Sequence, residues 1–249
     1  MDGTATRYLY LARHAEASPD GGAEAGVDVD AVGEAVGEAD GGGLTPNGRR
    51  QADLLGRRLR GLPIRLLHHG PLPRAAQTAQ LVAAHLDGVT PQVAQAAGDY
   101  LPYLPRRDEL PPESAESLMR FLARPTVEQH RPELAREAVS RFTGPVPGDQ
   151  ERHELLITHG FLIGWLIRHA LDAPGWRWLG LDHTNAALTV LRYTPGLPPA
   201  LVTYNDTAHL PGTPPQRPGG LTVRRERIRR SGGLWFRLVE LTARQGGRE

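Results

Sequence analysis

Arg13-His14 closes the apolar run Tyr8-Leu9-Tyr10-Leu11-Ala12, and Thr158-His159-Gly160 closes a second run, Leu155-Leu156-Ile157, far downstream. An imidazole can serve as a nucleophile or carry a proton, and the arginine fork matches the oxygens of a phosphate. Buried strands of a parallel sheet are near-continuous in hydrophobicity, and ligands bind outside their carboxyl ends. If both runs are such strands, Arg13, His14 and His159 meet along one sheet edge. Arg74 joins them by the same logic. It follows the apolar run Ile64-Arg65-Leu66-Leu67 and the stretch His69-Gly70-Pro71-Leu72-Pro73, and it opens a helix. A helix start already favours anions.

The elements that must position these residues are legible from pattern. Arg7 to Ala12 reads as the first strand and Ile64 to Leu67 as the second. Leu155 to Thr158 reads as a third, and Asn185 to Tyr193 and Ala200 to Tyr204 as two later ones joined by a Pro/Gly turn. Thr45 is placed as an N-cap with Pro46 at the first helical position, so Pro46 to Arg60 is a helix with Ala52, Leu55 and Leu59 on its apolar face. Arg74 to Leu86, Ser114 to Leu122, Val127 to Phe142 and Phe161 to Leu171 read as further helices. Gly98 to Pro112 is proline-rich and irregular. Strands alternating with helices predict an α/β fold: a three-layer sandwich with a mostly parallel central sheet and helices on both faces.

Taken together, the motifs resemble those of the histidine phosphatase superfamily, also called phosphoglycerate mutase-like. Arg13-His14-Ala15-Glu16 is similar to its Arg-His-Gly-Glu signature. Leu44 to Ala52 is similar to the Leu-Thr-x-x-Gly-x-x-Gln-Ala helix start, and His69 to Ala79 to Ser-Ser-Pro-Leu-x-Arg-Ala-x-Gln-Thr-Ala. Thr158-His159-Gly160 is similar to Ser/Thr-His-Gly. The motifs fall in the family's order, each at a strand-to-helix junction, over Arg7 to Leu210. Ala15 stands where the family has glycine, and His69-Gly70 where it has two serines.

The resemblance implies a metal-independent phosphomonoesterase that acts on a small phosphorylated molecule with no cofactor. His14 would be phosphorylated, Arg13, Arg74, His159 and Gly160 would bind the phosphate, and His69 would stand at the pocket rim. An acid after the second motif would protonate the leaving group. Asp99 is the first candidate, with Glu109 and Glu113 as rivals on the same irregular segment. A phosphoglycerate mutase is the same-fold alternative. Ala17-Ser18-Pro19-Asp20 replaces the longer signature that mutases carry after Arg-His-Gly-Glu. A non-catalytic phosphate-binding scaffold is the alternative outside the enzymes.

Composition narrows the rest. The 249 residues are 39% hydrophobic and 23% charged, which suits one globular α/β domain with ordinary loops, and the resemblance places the catalytic domain at residues 1–210. The net charge of +1 gives no global field toward nucleic acid or an anionic membrane. No cysteine is present, so a thiolate nucleophile or thiolate metal site is excluded. The ten histidines show no His-Glu-x-x-His spacing, and neither His68-His69 nor His153-Glu154 makes a metal site. The first residues lack the pattern of a signal peptide, and no apolar run is long enough to span a membrane. Those readings lead to the expectation of a cytoplasmic protein, with a homodimer left open.

Residues 17–43 carry Asp20, Glu24, Asp28, Asp30, Glu34, Glu38 and Asp40 without a basic residue, and are expected to form a flexible acidic insertion. An anionic cover near the pocket would disfavour polyanionic substrates over about 8 Å at physiological salt. Residues 211–249 form a Pro/Gly linker and an Arg-rich tail with Leu234-Trp235-Phe236. The tail is read either as packing on the domain or as an arm for an acidic partner.

Overall fold

The computed structural model describes residues 3–18, 42–123, 129–211, 221–230 and 233–243. Its centre is a sheet of β2 (Arg7–Arg13), β3 (Leu66–His69), β4 (Pro91–Val93), β6 (Arg152–Thr158), β7 (Leu188–Tyr193) and β8 (Ala200–Asp206). The spatial order is β4-β3-β6-β2-β7-β8. β4, β3, β6 and β2 run parallel, and β7 is antiparallel to both β2 and β8. β1 (Thr4–Ala5) and β5 (Val146–Pro147) form a separate short antiparallel pair.

Alternation along β2 explains the layers. Leu9 and Leu11 enter one core with Ala135, Ala138 and Phe142 of α4 (Pro132–Phe142) and Leu162, Ile163, Leu166 and Ile167 of α5 (Gly160–Ala170). Tyr10 and Ala12 enter the other. There they meet Ala52, Leu55 and Leu59 of α1 (Pro46–Leu59) and Ala75, Ala79 and Val82 of α2 (Pro73–Ala83). Successive strand residues face opposite sides, so one apolar strand supplies both cores. The expected α/β sandwich with helices on both faces is therefore the observed one. α3 (Pro112–Leu122) packs Leu118, Phe121 and Leu122 on a smaller aromatic cluster with Trp178.

Element boundaries differ from expectation where pairing overrides pattern. β3 runs to His69, two residues beyond the apolar stretch, because β6 pairs with Leu66 through His69. The helix expected over 127–142 starts at Pro132 among the described residues. Proline suits the first helical position, and it holds Arg131 before it out of helical geometry (φ −125°, ψ 69°). The strand expected from Asn185 starts at Leu188, since Ala186 has φ 57°. β1, β4 and β5 were not legible, because two- and three-residue strands exist only through their partners.

Residues 19–41 of the acidic insertion lie outside the described residues, and with them the expected anionic cover. Its ends are paired: Ala17 bridges Leu44, and Ser18 N donates to Gly43 O at 3.1 Å. The Arg-rich tail folds as a hairpin of β9 (Leu221–Arg230) and β10 (Gly233–Ala243), with Gly233 opposite Arg230 and a bulge between Leu238 and Leu241. The chain divides into two compact units, one of residues 1–24 and 35–213, the other of residues 25–34 and 214–249.

Candidate active site

β2 and β6 are in parallel register, with Arg13 opposite Thr158, and His14 N donates to Thr158 O at 2.9 Å. His14 and His159 therefore leave the sheet side by side. Their rings stand 5.0 Å apart, and both side chains are fully buried. His14 Nδ1 lies 2.8 Å from the carbonyl of Ala15. A carbonyl only accepts, so Nδ1 carries the proton and the lone pair sits on Nε2. This is the tautomer that nucleophilic attack through Nε2 requires.

Side chains from the two flanking helices fix the loop after His14. Ala15 N donates to Thr78 Oγ1 at 3.0 Å, and Thr78 donates in turn to the carbonyl of Arg74 at 2.7 Å. Glu16 N donates to Gln51 Oε1, and the Glu16 carboxylate accepts from Thr45 and Asn47. Thr45 caps α1 as expected, accepting from Gly48 N at 2.9 Å. A Cβ on Gly48 would lie 1.9 Å from the Glu16 carbonyl oxygen. Only glycine lets α1 approach the loop so closely. Gln77 Oε1 takes Leu44 N at 2.9 Å. The threonine, glycine and glutamines of the helix motifs thus hold the loop that follows His14.

Arg74, in the first turn of α2, is buried and donates to Asp99 Oδ2 at 2.8 Å. The same Asp99 oxygen lies 3.5 Å from His159 Nδ1. Asp99 is carried there by the strand end of β6, since Thr158 Oγ1 donates to Ala97 O at 2.7 Å. The rival carboxylates lie on other elements. Glu109 accepts from the Tyr103 hydroxyl and from Arg106 N, and Glu113 lies in the first turn of α3.

Arg13 Nη1 donates to the carbonyl of His183 at 2.6 Å. His183 is buried, and burial, aided by Arg13, pushes its pKa down to about 3, so its ring is neutral. His69 is half-buried and bonds through Nδ1 to the carbonyl of the next residue, Gly70, as His14 does to Ala15. A Cβ on Gly70 would meet the Ala97 carbonyl oxygen at 2.4 Å and His159 Nε2 at 3.2 Å. This packing leaves no room for the serine that the family carries there. At Gly160 a Cβ would meet nothing within 4 Å, so space is open at the start of α5. The sequence pattern does not single out His183. Its carbonyl carries no signal in residue type, and only the strand arrangement brings it to Arg13. Among the described residues, no group of three or more His, Asp or Glu side chains is set to hold a metal ion.

A family profile described as histidine phosphatase superfamily (branch 1) matches residues 9–207. The serine/threonine-protein phosphatase PGAM5, mitochondrial, of Homo sapiens is 30% identical over 213 residues, covering 83% of this chain and 65% of the relative. The Rattus norvegicus protein of the same name matches equally. The chain thus spans 65% of the length of these curated relatives. Among solved structures, Bacillus stearothermophilus YhfR superimposes with a TM-score of 0.56 at 22% identity, covering 82% of this chain and 98% of that one. A phosphoserine phosphatase from Entamoeba histolytica, in complex with 3-phosphoglyceric acid, gives 0.55 at 18%, covering 82% and 99%. The expectation of a cytoplasmic protein is overturned here, because the curated relatives are named as mitochondrial. The absence of a signal-peptide pattern was too weak a basis for a compartment.

Proposed function

Because the chain belongs to the histidine phosphatase superfamily, we propose that it is a phosphomonoesterase working through a phosphohistidine at His14. The observation that carries this reading is convergence: Arg74 and His159 meet on one Asp99 oxygen, beside a His14 whose Nε2 holds the lone pair. In the first step, Nε2 attacks phosphorus in line, the P–N bond forms, and the ester P–O bond breaks. Arg13, Arg74 and His159 neutralise the phosphoryl oxygens. A phosphate entering this clamp competes with Asp99 for Arg74. Displaced from Arg74 by that phosphate, Asp99 takes up a proton, from the substrate monoanion or from water, and gives it to the departing alkoxide. In the second step water attacks phosphorus and passes a proton to Asp99, the P–N bond breaks, and inorganic phosphate leaves with His14 restored.

The substrate in this reading is a small phosphorylated molecule. A second reading is favoured by the relatives' names: a phosphoserine or phosphothreonine side chain of a protein. Both use the same chemistry, and parallel assays on phosphorylated metabolites and phosphopeptides separate them.

The test of the reaction is turnover of p-nitrophenyl phosphate, with and without chelator, by the native chain and by His14→Ala. The expected loss is at least about a thousandfold with the fold retained, since the whole covalent route goes with the nucleophile. Phosphate trapped on a His14 peptide after a quench that avoids acid is the direct signature. Near-native turnover by His14→Ala would exclude the covalent route. Label passed to a second substrate rather than released as phosphate would indicate a mutase. Phosphate binding without turnover would indicate a scaffold.

A further inference from the structure

We infer that Tyr204 and Asn205, at the end of β8, are positioning residues for the phosphate clamp, acting on Arg13 through the segment 182–187. This rests on reading Arg13 as a phosphate ligand. The Arg13 guanidinium is a planar fork, so fixing one of its nitrogens sets the direction of the others. That nitrogen is fixed by the His183 carbonyl at 2.6 Å.

The His183 carbonyl is itself set from both sides. The Tyr204 hydroxyl donates to Asp182 O at 2.8 Å, and Thr184 N donates to Asn205 Oδ1 at 2.8 Å. Consecutive residues of β8 thereby hold the residues on either side of His183. The Tyr204 ring also meets the His183 ring edge-on, with centroids 5.5 Å apart. Asn205 is anchored in turn, its N donating to Thr189 Oγ1 of β7 at 3.0 Å.

The same segment grips the catalytic strand directly. Ala186 N lies 3.1 Å from Arg13 O and 3.3 Å from His14 O, a bond shared between the two carbonyls. To make it, Ala186 takes φ 57°, and Asn205 takes φ 47°. A left-handed alanine costs on the order of 1 kcal/mol and persists only where its surroundings over-determine it. Asparagine tolerates that conformation, so Asn205 combines the required backbone with the required acceptor.

The experiment compares Asn205→Gly with Asn205→Asp in the full chain. Glycine keeps the backbone conformation without strain and removes the acceptor, whereas aspartate keeps both. The readouts are the Kd of inorganic phosphate by calorimetry, kcat and KM on p-nitrophenyl phosphate, and Tm. Asn205→Gly is expected to weaken phosphate binding and lower kcat/KM by roughly tenfold, as small misplacements of clamping groups do, and Asn205→Asp to recover most of that. Native phosphate affinity in Asn205→Gly, whatever its Tm, overturns the inference, and so does a failure of aspartate to rescue.

If Asn205→Gly does not fold, Tyr204→Phe decides. It deletes only the hydroxyl on Asp182, and the expected weakening of phosphate binding is about threefold. Unchanged binding there also overturns the inference. A native chain that binds no phosphate would remove the clamp reading itself. Native binding without turnover would remove the phosphatase reading and leave the positioning role standing.

Discussion

At the residue scale, the single Asp99 oxygen between Arg74 and His159 separates this carboxylate from Glu109 and Glu113. If Asp99 supplies the proton for the leaving group, Asp99→Asn should slow alkyl phosphates by on the order of a hundredfold and aryl phosphates with good leaving groups far less, because only a basic alkoxide needs the proton. Equal slowing of both classes, measured as kcat/KM, would make Asp99 a binding residue. His183 gives a second prediction. Its pKa falls from the ordinary 6.5 to about 3 in the fold, so between those values the unfolded chain takes up a proton that the native state refuses. Stability is therefore full above pH 6.5 and is lost as pH falls. Burial also lowers the pKa of His68, His169 and His209, which adds in the same direction. Urea unfolding between pH 7.5 and 5.5 should show this decline. His183→Gln should make it shallower, by up to about 1.4 kcal/mol per pH unit for the one proton removed. An unchanged slope would mean that His183 titrates normally.

At the element scale, the site depends on how closely helices approach strand ends. α1 can lie against the Glu16 carbonyl only because residue 48 has no side chain. Gly48→Ala should therefore cost about 2–3 kcal/mol of stability by overpacking, and lower turnover with it, because the displaced loop is the one that follows His14. Equilibrium unfolding together with kcat/KM checks this, and a stable, fully active variant would show that α1 does not hold the loop. α2 starts at Pro73, one residue before the expected Arg74, with the proline at its first helical position, and it ends at Ala83 rather than Leu86. β3 ends at His69 rather than Leu67, because backbone pairing with β6 does not require apolar side chains. Periodicity found the helices and the longer strands of the six-stranded sheet, but not the β9–β10 hairpin, which the reading of an Arg-rich tail left open. It could not find β4 or the β1–β5 pair, whose few residues carry too little pattern to distinguish them from loop.

At the scale of the whole molecule, the residues proposed for catalysis all belong to the unit of residues 1–24 and 35–213, and the β9–β10 hairpin belongs to the other unit. Truncation after Leu210 should leave a soluble protein with near-native kcat/KM, and a Tm shifted by less than about 3 °C, the change that about 1 kcal/mol produces at this size. Aggregation or loss of activity would show instead that the tail belongs to the catalytic fold.

The sequence by itself determined which residue types stand at the strand ends and helix starts: Arg13 and His14, Arg74, and His159 with Gly160. Those signals are local, consisting of an apolar run that stops, a capping threonine and a proline at the first helical position. Tertiary structure decided which carboxylate lies against Arg74 and His159, why residue 70 is glycine, and that the His183 carbonyl accepts from Arg13. These contacts join residues far apart in the chain. Their geometry follows from strand register and from the course of irregular segments, and neither leaves a periodic trace in the order of residues.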